Sequence, residues 1–230
     1  MNKSLNEDKN SILGIYGAGP LGREVFELAT VINKLNNFWS QIIFIDDADE
    51  IYNPRKLVVV KFSEIKSLFP KSNIEICIAT GEPSLRNKLY DKIIANEYKL
   101  ATLIHPDVVI PNSTKIGKGT IICKFLSITC DIIIGDNVYI HPNACIGHDA
   151  KIGAHSVISS YVDISGYCNI GISTFLGVNV CMRQKISIGN DTIIGMGSVV
   201  HRDIPDSVIA LGNPARVMKN NENQTVFPCD

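Results

Sequence analysis

Residues 132–158, IIIGDNVYIHPNACIGHDAKIGAHSVI, carry an isoleucine at every sixth position. Aliphatic residues continue this spacing in both directions, over seventeen consecutive positions: Ile104, Ile110, Ile116, Ile122, Ile128, Ile134, Ile140, Ile146, Ile152, Ile158, Ile164, Ile170, Leu176, Met182, Ile188, Ile194 and Val200. A period of six fits neither the 3.6-residue repeat of an α-helix nor the two-residue alternation of a plain strand. Because a glycine often follows the aliphatic residue, the pattern indicates a short strand and a tight turn that the glycine serves.

Three six-residue units make one triangular coil, and stacked coils bury their aliphatic anchors in a solid prism. The sequence therefore predicts a hexapeptide parallel β-helix over residues 104–218. Residues eighteen positions apart lie directly above one another in such a prism, one strand spacing apart. The pattern by itself leaves the hand of the coil open.

The first hundred residues alternate strand-like and helix-like segments. We expect strands at 11–16, 41–45, 57–61 and 73–79, and helices at 21–33, 63–69 and 83–96. Alternation at this spacing is typical of a parallel α/β sheet. The sequence thus predicts a Rossmann-like α/β domain over residues 1–103, followed by the β-helix domain and then a flexible tail over 219–230.

Composition argues against several classes of protein. The 22 basic and 23 acidic residues give a net charge of −1, which argues against a nucleic acid or an anionic membrane as the main partner. No apolar run approaches the ~18 residues of a spanning helix, and the polar start MNKSLNEDKN does not resemble a signal peptide. The seven scattered cysteines include no CxxC, so neither a disulfide scaffold nor a structural zinc site is expected. We expect a cytoplasmic protein with no metal.

A glycine-rich segment, Gly17-Ala18-Gly19-Pro20-Leu21-Gly22, follows a predicted strand and opens a predicted helix. Such glycines permit a tight turn and let the backbone approach a phosphate at the helix N-terminus. Asp46 ends the next strand, 24 residues after Gly22. Taken alone these residues fit a dinucleotide fingerprint or a tight turn with no ligand. The missing second half of a dinucleotide fold argues against a complete NAD site.

Several segments of the chain together resemble a known family, the hexapeptide-repeat acyltransferases with a left-handed β-helix. The shared segments, spread over nearly the whole chain, are GAGPLGRE (17–24), IDD (45–47), IATG (78–81), LIHP (103–106), IGHDAKIG (146–153), ISG (164–166) and GNPAR (212–216). The hexads alone indicate the superfamily. The order of all the segments resembles the two-domain branch that acetylates nucleotide-linked amino sugars or sialic acid, including the bacillosamine-pathway N-acetyltransferases.

The resemblance implies that the N-terminal domain binds a nucleotide-diphosphate sugar. The residues implied are Gly19, Pro20 and Leu21 in the loop, Asp46 and Asp47 at the nucleoside, and Gly81, whose backbone closes the pocket. A carboxylate can accept the N3–H of uracil or thymine, an edge that cytosine lacks, so a UDP- or dTDP-amino sugar is expected. Many relatives carry Gly-His where this chain has Pro20-Leu21, so any contact made by that histidine is absent here.

His148 is the one histidine of the repeat that an acid, Asp149, directly follows. The resemblance implies that His148 is the general base and that Asp149 raises its basicity. Gly166 lies eighteen residues after His148, so its backbone should stack on the histidine, where an exposed N–H can stabilise a tetrahedral oxyanion. The alternatives are a solvated charge at Asp149 and a simple turn at Gly166.

The positions that contact acetyl-CoA in relatives correspond to Val157, Val178 and Met196, although several relatives have histidine where this chain has Val157. The resemblance also implies a homotrimer with CoA in a groove between neighbouring prisms.

Three classes of function remain. The first, which we predict, is direct acetyl transfer from acetyl-CoA to the amino group, expected at position 4, of a nucleotide-linked deoxyamino sugar, with a neutral histidine as proton acceptor. The second is O-acetylation of sialic acid or a related sugar by the same base. The third is a non-catalytic β-helix binding protein, which the His148-Asp149 pair and the GNPAR segment make the weakest of the three.

Overall fold

The computed structural model describes residues 11–51, 53 and 56–227. The polar segment 1–10 and the last three residues of the expected tail lie outside these described residues. None of the helices in the described part of the chain has the length and apolar character needed to cross a bilayer.

The N-terminal domain is a five-stranded parallel sheet with helices between its strands. The strands are β1 (Ile12–Tyr16), β2 (Gln41–Ile45), β3 (Val59–Val60), β4 (Ile74–Ile78) and β5 (Lys99–Leu100), in the order β3-β2-β1-β4-β5. The helices are α1 (Pro20–Asn36), α2 (Ile65–Leu68) and α3 (Pro83–Ala95), with single 3₁₀ turns at Phe62–Glu64 and Lys71–Asn73. The predicted Rossmann-like α/β domain is confirmed.

The two long helices of this domain begin at one edge of the sheet. Each has a proline in its first turn, Pro20 in α1 and Pro83 in α3, where the missing N–H costs no hydrogen bond. Gly22 lets α1 approach the preceding turn, since a Cβ added there would lie 1.9 Å from the Gly17 carbonyl oxygen. The carboxyl ends of β1, β2 and β4 meet at this same edge, so the residues that follow them are brought together.

The second domain is a parallel β-helix built from two-residue strands. These are β6 (Leu103–Ile104), β7 (Lys115–Ile116), β8 (Ile121–Ile122), β9 (Ser127–Ile128), β10 (Ile133–Ile134), β11 (Tyr139–Ile140), β12 (Cys145–Ile146), β13 (Lys151–Ile152), β14 (Val157–Ile158), β15 (Asp163–Ile164), β16 (Asn169–Ile170), β17 (Phe175–Leu176), β18 (Cys181–Met182), β19 (Ser187–Ile188), β20 (Ile193–Ile194) and β21 (Val199–Val200). They form three sheets, one per face of the prism. Ile134, for example, pairs with Ile116 and Ile152, eighteen residues away on either side. Thirteen of the seventeen predicted anchors are buried in the interior cluster, and the other four, Ile104, Ile110, Ile116 and Ile128, are partly buried and pack against it.

The turns of the β-helix differ from the prediction. The left-handed backbone position falls three residues after the anchor and holds side chains such as Asn143, Asp149 and Tyr167, all with φ near 60°. The glycines next to the anchors instead allow successive coils to approach each other. A Cβ added at Gly153, for example, would lie 2.5 Å from the Gly171 carbonyl. The expectation that these glycines serve the turn through their conformational freedom is therefore wrong, and close packing between coils is the physical reason for them.

The two domains meet within a few residues of the expected boundary. β5 still pairs with β4 of the α/β sheet, whereas β6 already pairs with β8 of the β-helix. At the other end, β22 (Val208–Leu211) continues the eight-stranded face, and β23 (Arg216–Asn220) pairs with it antiparallel. The segment expected to be a flexible tail from residue 219 therefore begins inside a strand.

Arg86 of α3 joins the two domains from a fully buried position. Its guanidinium donates to the carbonyl oxygens of Ile78 and Thr80 at 2.8 and 3.0 Å, and to the carbonyl and side-chain oxygens of Asn137 at 2.6–3.0 Å. Asn137 donates back to the Arg86 carbonyl at 3.0 Å. Burial lowers the pKa of Arg86 to about 10, so the side chain stays cationic at neutral pH. Apolar side chains of α1 and of the eight-stranded face share one cluster, and the ring of Tyr139 from that cluster lies 5.6 Å from the Arg86 guanidinium.

Replacing Arg86 with alanine should destabilise the protein severely, because three backbone carbonyls would lose their buried, charged donor. We expect the free energy of unfolding to fall by about 3 kcal/mol, measured by guanidinium chloride denaturation. Lys88→Ala is the matched control, since Lys88 is an exposed cation on the same helix. A loss for Arg86→Ala below about 1 kcal/mol would contradict the role of this contact.

Candidate active site

A cavity of about 1180 Å³ lies between the α/β domain and the eight-stranded face of the β-helix. All nine residues predicted to bind the nucleotide sugar or acetyl-CoA line it: Gly19, Pro20, Leu21, Asp46, Asp47, Gly81, Val157, Val178 and Met196. The cavity is large enough for a ligand of nucleotide-sugar size. The structure therefore brings the predicted binding residues of both domains together.

The glycine-rich turn and Asp46 form one end of the cavity. Asp46 follows β2, and its two carboxylate oxygens accept the N–H groups of Ala18 and Ala48 at 2.8 and 3.0 Å. Asp46 thereby holds the turn before α1 in place, and each oxygen keeps a second lone pair. The first turn of α1 contains no acidic residue, so the partial positive charge at its N-terminus is left for a ligand.

Asp47 is held by side chains that sequence reasoning missed. It accepts hydrogen bonds from the Tyr16 hydroxyl, from Lys92 Nζ at 2.8 Å and from the Phe62 N–H at 2.9 Å. Burial alone would raise the pKa of Asp47, but the hydrogen bonds from Lys92 and Tyr16 hold it below its ordinary value. Tyr16 also lines the cavity, and burial beside Asp47 raises the pKa of its hydroxyl. Its place at the end of β1, directly before Gly17, is a signal that could have identified it.

His141 is a second cavity residue that the sequence argument did not select. Burial, with a smaller effect of Arg86, lowers the pKa of His141 to about 4, so the ring is neutral at neutral pH. The ring packs edge-on against Tyr139, with centroids 4.5 Å apart. Coil arithmetic could have found it, because His141, Ser159, Gly177 and Gly195 are spaced by eighteen residues and all line the cavity.

His148, the predicted base, lies in the turn between β12 and β13. Its Nδ1 is 2.9 Å from Oδ2 of Asp149, and the two side chains are 45% and 41% exposed, so both are accessible to a ligand. Asp149 takes the left-handed turn position, with φ 60°, and donates its N–H to the Cys130 carbonyl at 3.1 Å. The Tyr167 ring packs edge-on against the histidine, at 5.0 Å between centroids. The pair is thus held on an accessible corner of the prism.

Gly166 stacks on His148 as the coil arithmetic predicts. A Cβ added at Gly166 would lie 2.6 Å from Nε2 of the histidine, so only glycine leaves room for this ring position. Within the described part of the chain, the Gly166 N–H has no hydrogen-bond acceptor. At the matching positions in other described coils, Lys118 and Ile172 donate their N–H to Asp136 and Asn190, each at 2.8 Å, whereas Ala154 and Val178, like Gly166, have no acceptor. An unpaired donor therefore lies beside the His148 ring.

The three predicted catalytic residues, His148, Asp149 and Gly166, lie on a different corner of the prism from the cavity. None of them lines it. Within one chain, the structure therefore separates the predicted binding residues from the predicted catalytic residues. Among the described residues, no three His, Cys, Asp or Glu side chains come together as a metal site would require.

Comparisons with known proteins agree with this architecture. Residues 12–93 match the PglD N-terminal domain, and residues 131–166 match the bacterial transferase hexapeptide repeat. A curated relative, the GDP-perosamine N-acetyltransferase of Escherichia coli O157:H7, is 27% identical over 129 residues. That match spans 54% of this chain and 57% of the relative, so it covers little more than half of either protein.

Solved structures match over more of the chain. The acetyltransferase domain of PglB from Neisseria gonorrhoeae FA1090, in complex with acetyl coenzyme A, is 28% identical with a TM-score of 0.83, covering 91% of this chain and 100% of that one. A mutant perosamine N-acetyltransferase from Caulobacter crescentus, in complex with CoA and GDP-perosamine, is also 28% identical with a TM-score of 0.83. It covers 93% of this chain and 99% of that one. The predicted Rossmann-like domain followed by a left-handed β-helix is confirmed.

The contact between Gly166 and His148 can be tested by Gly166→Ala. We expect the added methyl group to displace the half-exposed histidine ring while the fold stays intact, because the ring can move toward solvent. A crystal structure of the variant checks this, with Ser165→Ala as the control that adds no bulk. A ring that stays in place, with its hydrogen bond to Asp149 unchanged, would contradict the packing described here.

Proposed function

We propose that the chain is a hexapeptide-repeat sugar N-acetyltransferase that transfers the acetyl group of acetyl-CoA to the amino group of a nucleotide-linked deoxyamino sugar. The observation that carries the proposal is the corner formed by His148, Asp149 and Gly166. It combines a proton acceptor, a carboxylate that orients it, and an unpaired N–H within one stacked pair of coils.

The proposed reaction needs no covalent enzyme intermediate. The sugar amine attacks the thioester carbonyl carbon while His148 accepts the proton that the nitrogen loses. The Gly166 N–H donates a hydrogen bond to the oxyanion of the tetrahedral intermediate. When the C–S bond breaks, the CoA sulfur leaves with the electron pair and takes up a proton, and the sugar keeps the acetyl group as an amide. Asp149 holds His148 through the 2.9 Å hydrogen bond to Nδ1.

In this proposal, the cavity binds the nucleotide sugar. The diphosphate lies at the N-terminus of α1, where Gly19, Pro20 and Leu21 line the cavity and unpaired N–H groups attract an anion. Asp46 faces the nucleoside with its remaining lone pairs, and Asp47 fixes Tyr16 and Lys92 beside it. Gly81 closes the cavity at the end of β4.

The expected nucleotide is UDP or dTDP, because a carboxylate accepts the N3–H of either base. The perosamine enzymes among the similar proteins act on or bind GDP-perosamine, and guanine also presents an N–H donor on that edge. The substrate panel therefore includes all three nucleotides. Such a reaction, with acetyl-CoA and a nucleotide sugar as substrates, belongs in the cytoplasm and supplies an acetylated sugar for glycan synthesis.

Acetyl-CoA is proposed to bind along the column of stacked turn residues that contains Val178 and Met196, on the β-helix side of the cavity. Val178 and Met196 are 48% and 80% exposed and lie one coil apart in the cavity wall, so they offer adjacent apolar contacts to a ligand. Val157 is part of the cavity wall but is fully buried in the cluster shared with the α/β domain, so it shapes the wall without contacting CoA. This leaves Val178 and Met196 as the two apolar contacts for the cofactor.

The separation of the cavity from the His148 corner supports a homotrimer. Acetyl transfer requires the amine, the thioester and the base within bonding distance, and one chain does not bring its cavity and its His148 corner together. Cyclic packing of three prisms would place the His148 corner of one subunit against the cavity of the next. Each active site would then take residues from two chains.

A release assay for the free CoA thiol tests the reaction itself. The acceptors are UDP-, dTDP- and GDP-linked 4-amino sugars, with free sialic acid as the acceptor for O-acetylation. We expect thiol release with a nucleotide amino sugar and none with sialic acid. Thiol release with sialic acid as the only active acceptor would replace N-acetylation by O-acetylation. If none of the acceptors supported thiol release, the proposal would be overturned.

His148→Asn should lower kcat by about 10²–10⁴, the usual contribution of a positioned base. KM for acetyl-CoA should change little, because the ring acts on the acceptor amine. Steady-state kinetics of thiol release checks both values. His201→Asn is the control, since His201 lies in the same β-helix, three coils further along. If His148→Asn retained more than about a tenth of kcat, the base assignment would be wrong.

Complementation tests whether each site uses two chains. His148→Ala and Asp46→Ala should each be inactive alone, one lacking the base and the other the nucleoside contact. Coexpressed in equal amounts, they should recover roughly a quarter of wild-type activity, because a quarter of the shared sites receive both intact halves. No recovery in mixed trimers would place the complete site within one chain. Light scattering that shows an active monomer would exclude the trimer.

A further inference from the structure

The segment from Asn221 to Phe227 returns from the end of the β-helix to the α/β domain. Asn221 is 6% exposed and fixes the start of the segment, with its N–H on the Ser207 carbonyl and its side chain on the Asp191 carbonyl, both at 2.8 Å. At the other end, the N–H groups of Val226 and Phe227 donate to one carboxylate oxygen of Glu82 at 2.8 and 3.1 Å. We call residues 221–227 the return segment.

The return segment places an aromatic ring in the wall of the cavity. Phe227 packs edge-on against Phe175 of the β-helix, with ring centroids 5.7 Å apart and planes at 85°. On its other side the ring lies next to Gly81, where an added Cβ would be 3.5 Å from it. Phe227 is still 57% exposed and lines the cavity together with Val226. The ring therefore closes a gap between the two domains and leaves one surface open to a ligand.

The order of the strands indicates which part of the ligand lies beside Phe227. Three neighbouring strands of the sheet lie in the spatial order β2-β1-β4. Asp46 follows β2, the glycine-rich turn follows β1, and Gly81 follows β4. A nucleoside at Asp46 and a diphosphate at the N-terminus of α1 therefore extend along the sheet edge toward Gly81. In a ligand bound this way, the group beyond the diphosphate, the sugar, would lie beside Gly81 and Phe227.

We propose that Phe227 is a substrate-binding residue that packs against the sugar ring of the nucleotide sugar. The inference rests on the proposed function, since it assumes a nucleotide sugar in the cavity. The C–H face of a deoxy sugar is apolar and suits an aromatic surface with an open side. The two hydrogen bonds to Glu82 hold the ring in position, so Glu82 is a positioning residue for Phe227.

The test compares two probes that differ only in the sugar. Calorimetry measures binding of the nucleotide amino sugar preferred by the wild-type protein, and of its free nucleoside diphosphate. For Phe227→Ala we expect the dissociation constant of the nucleotide sugar to rise about tenfold, while that of the diphosphate changes less than about twofold. Glu82→Ala should also raise the dissociation constant of the nucleotide sugar more than that of the diphosphate, because it releases the return segment.

Two controls separate this role from a structural one. Phe38→Ala removes a phenylalanine that is 56% exposed but does not line the cavity, and it should leave both constants unchanged. A chain that ends after Thr225 should behave like Phe227→Ala, whereas one that ends after Phe227 should behave like the wild type. Thermal unfolding of each variant checks that the fold is intact.

The outcomes distinguish this inference from the proposed function. If Phe227→Ala weakened the binding of both probes equally, or of neither, the contact with the sugar would be overturned. The proposed acetyl transfer by the wild type would not be affected by that result. A wild-type protein that transfers acetyl to no nucleotide amino sugar and binds none would overturn the proposed function and this inference together. A chain ending after Thr225 that binds the nucleotide sugar normally would overturn the inference alone.

Discussion

The buried guanidinium of Arg86 holds the α/β domain against the β-helix, and the cavity between them depends on that arrangement. Its five hydrogen bonds all go to amide oxygens, of Ile78, Thr80 and Asn137. Because Ile78 and Thr80 lie at the end of β4, just before Gly81, the same bonds that join the domains also set the backbone at the cavity's edge. The Arg86 charge adds to the effect of burial on the pKa of His141, so it acts on the cavity wall as well.

Periodicity was sufficient to predict most of the fold. The spacing of isoleucines fixes the coil register, and the register in turn places Gly166 on His148 without knowledge of any coordinates. The α/β alternation likewise located Asp46 at the sheet edge beside the glycine-rich turn. These predictions succeeded because they depend on contacts repeated along the chain or on the geometry of a parallel sheet.

Other features of the site depend on how distant segments pack, which periodicity does not encode. Asp47 looks in sequence like a second free carboxylate, yet Lys92 reaches it from α3, 45 residues further along. Phe227 reaches the cavity by contacts with Glu82, which lies 145 residues earlier. The role of the glycines was misjudged for a related reason, since their crowding comes from the neighbouring coil and not from their own turn.

The interior register of the β-helix also limits how its length can change. A single residue inserted or deleted within a strand would break the eighteen-residue stacking between the coils on either side of the change, because each anchor stacks on the residue eighteen positions away. Length variation in this half of the molecule is therefore tolerated in whole coils, each adding ~4.8 Å to the prism, or as loops extruded at the corners. Related chains should accordingly differ in the number of coils below or above the His148 corner, with the corner itself preserved as a unit.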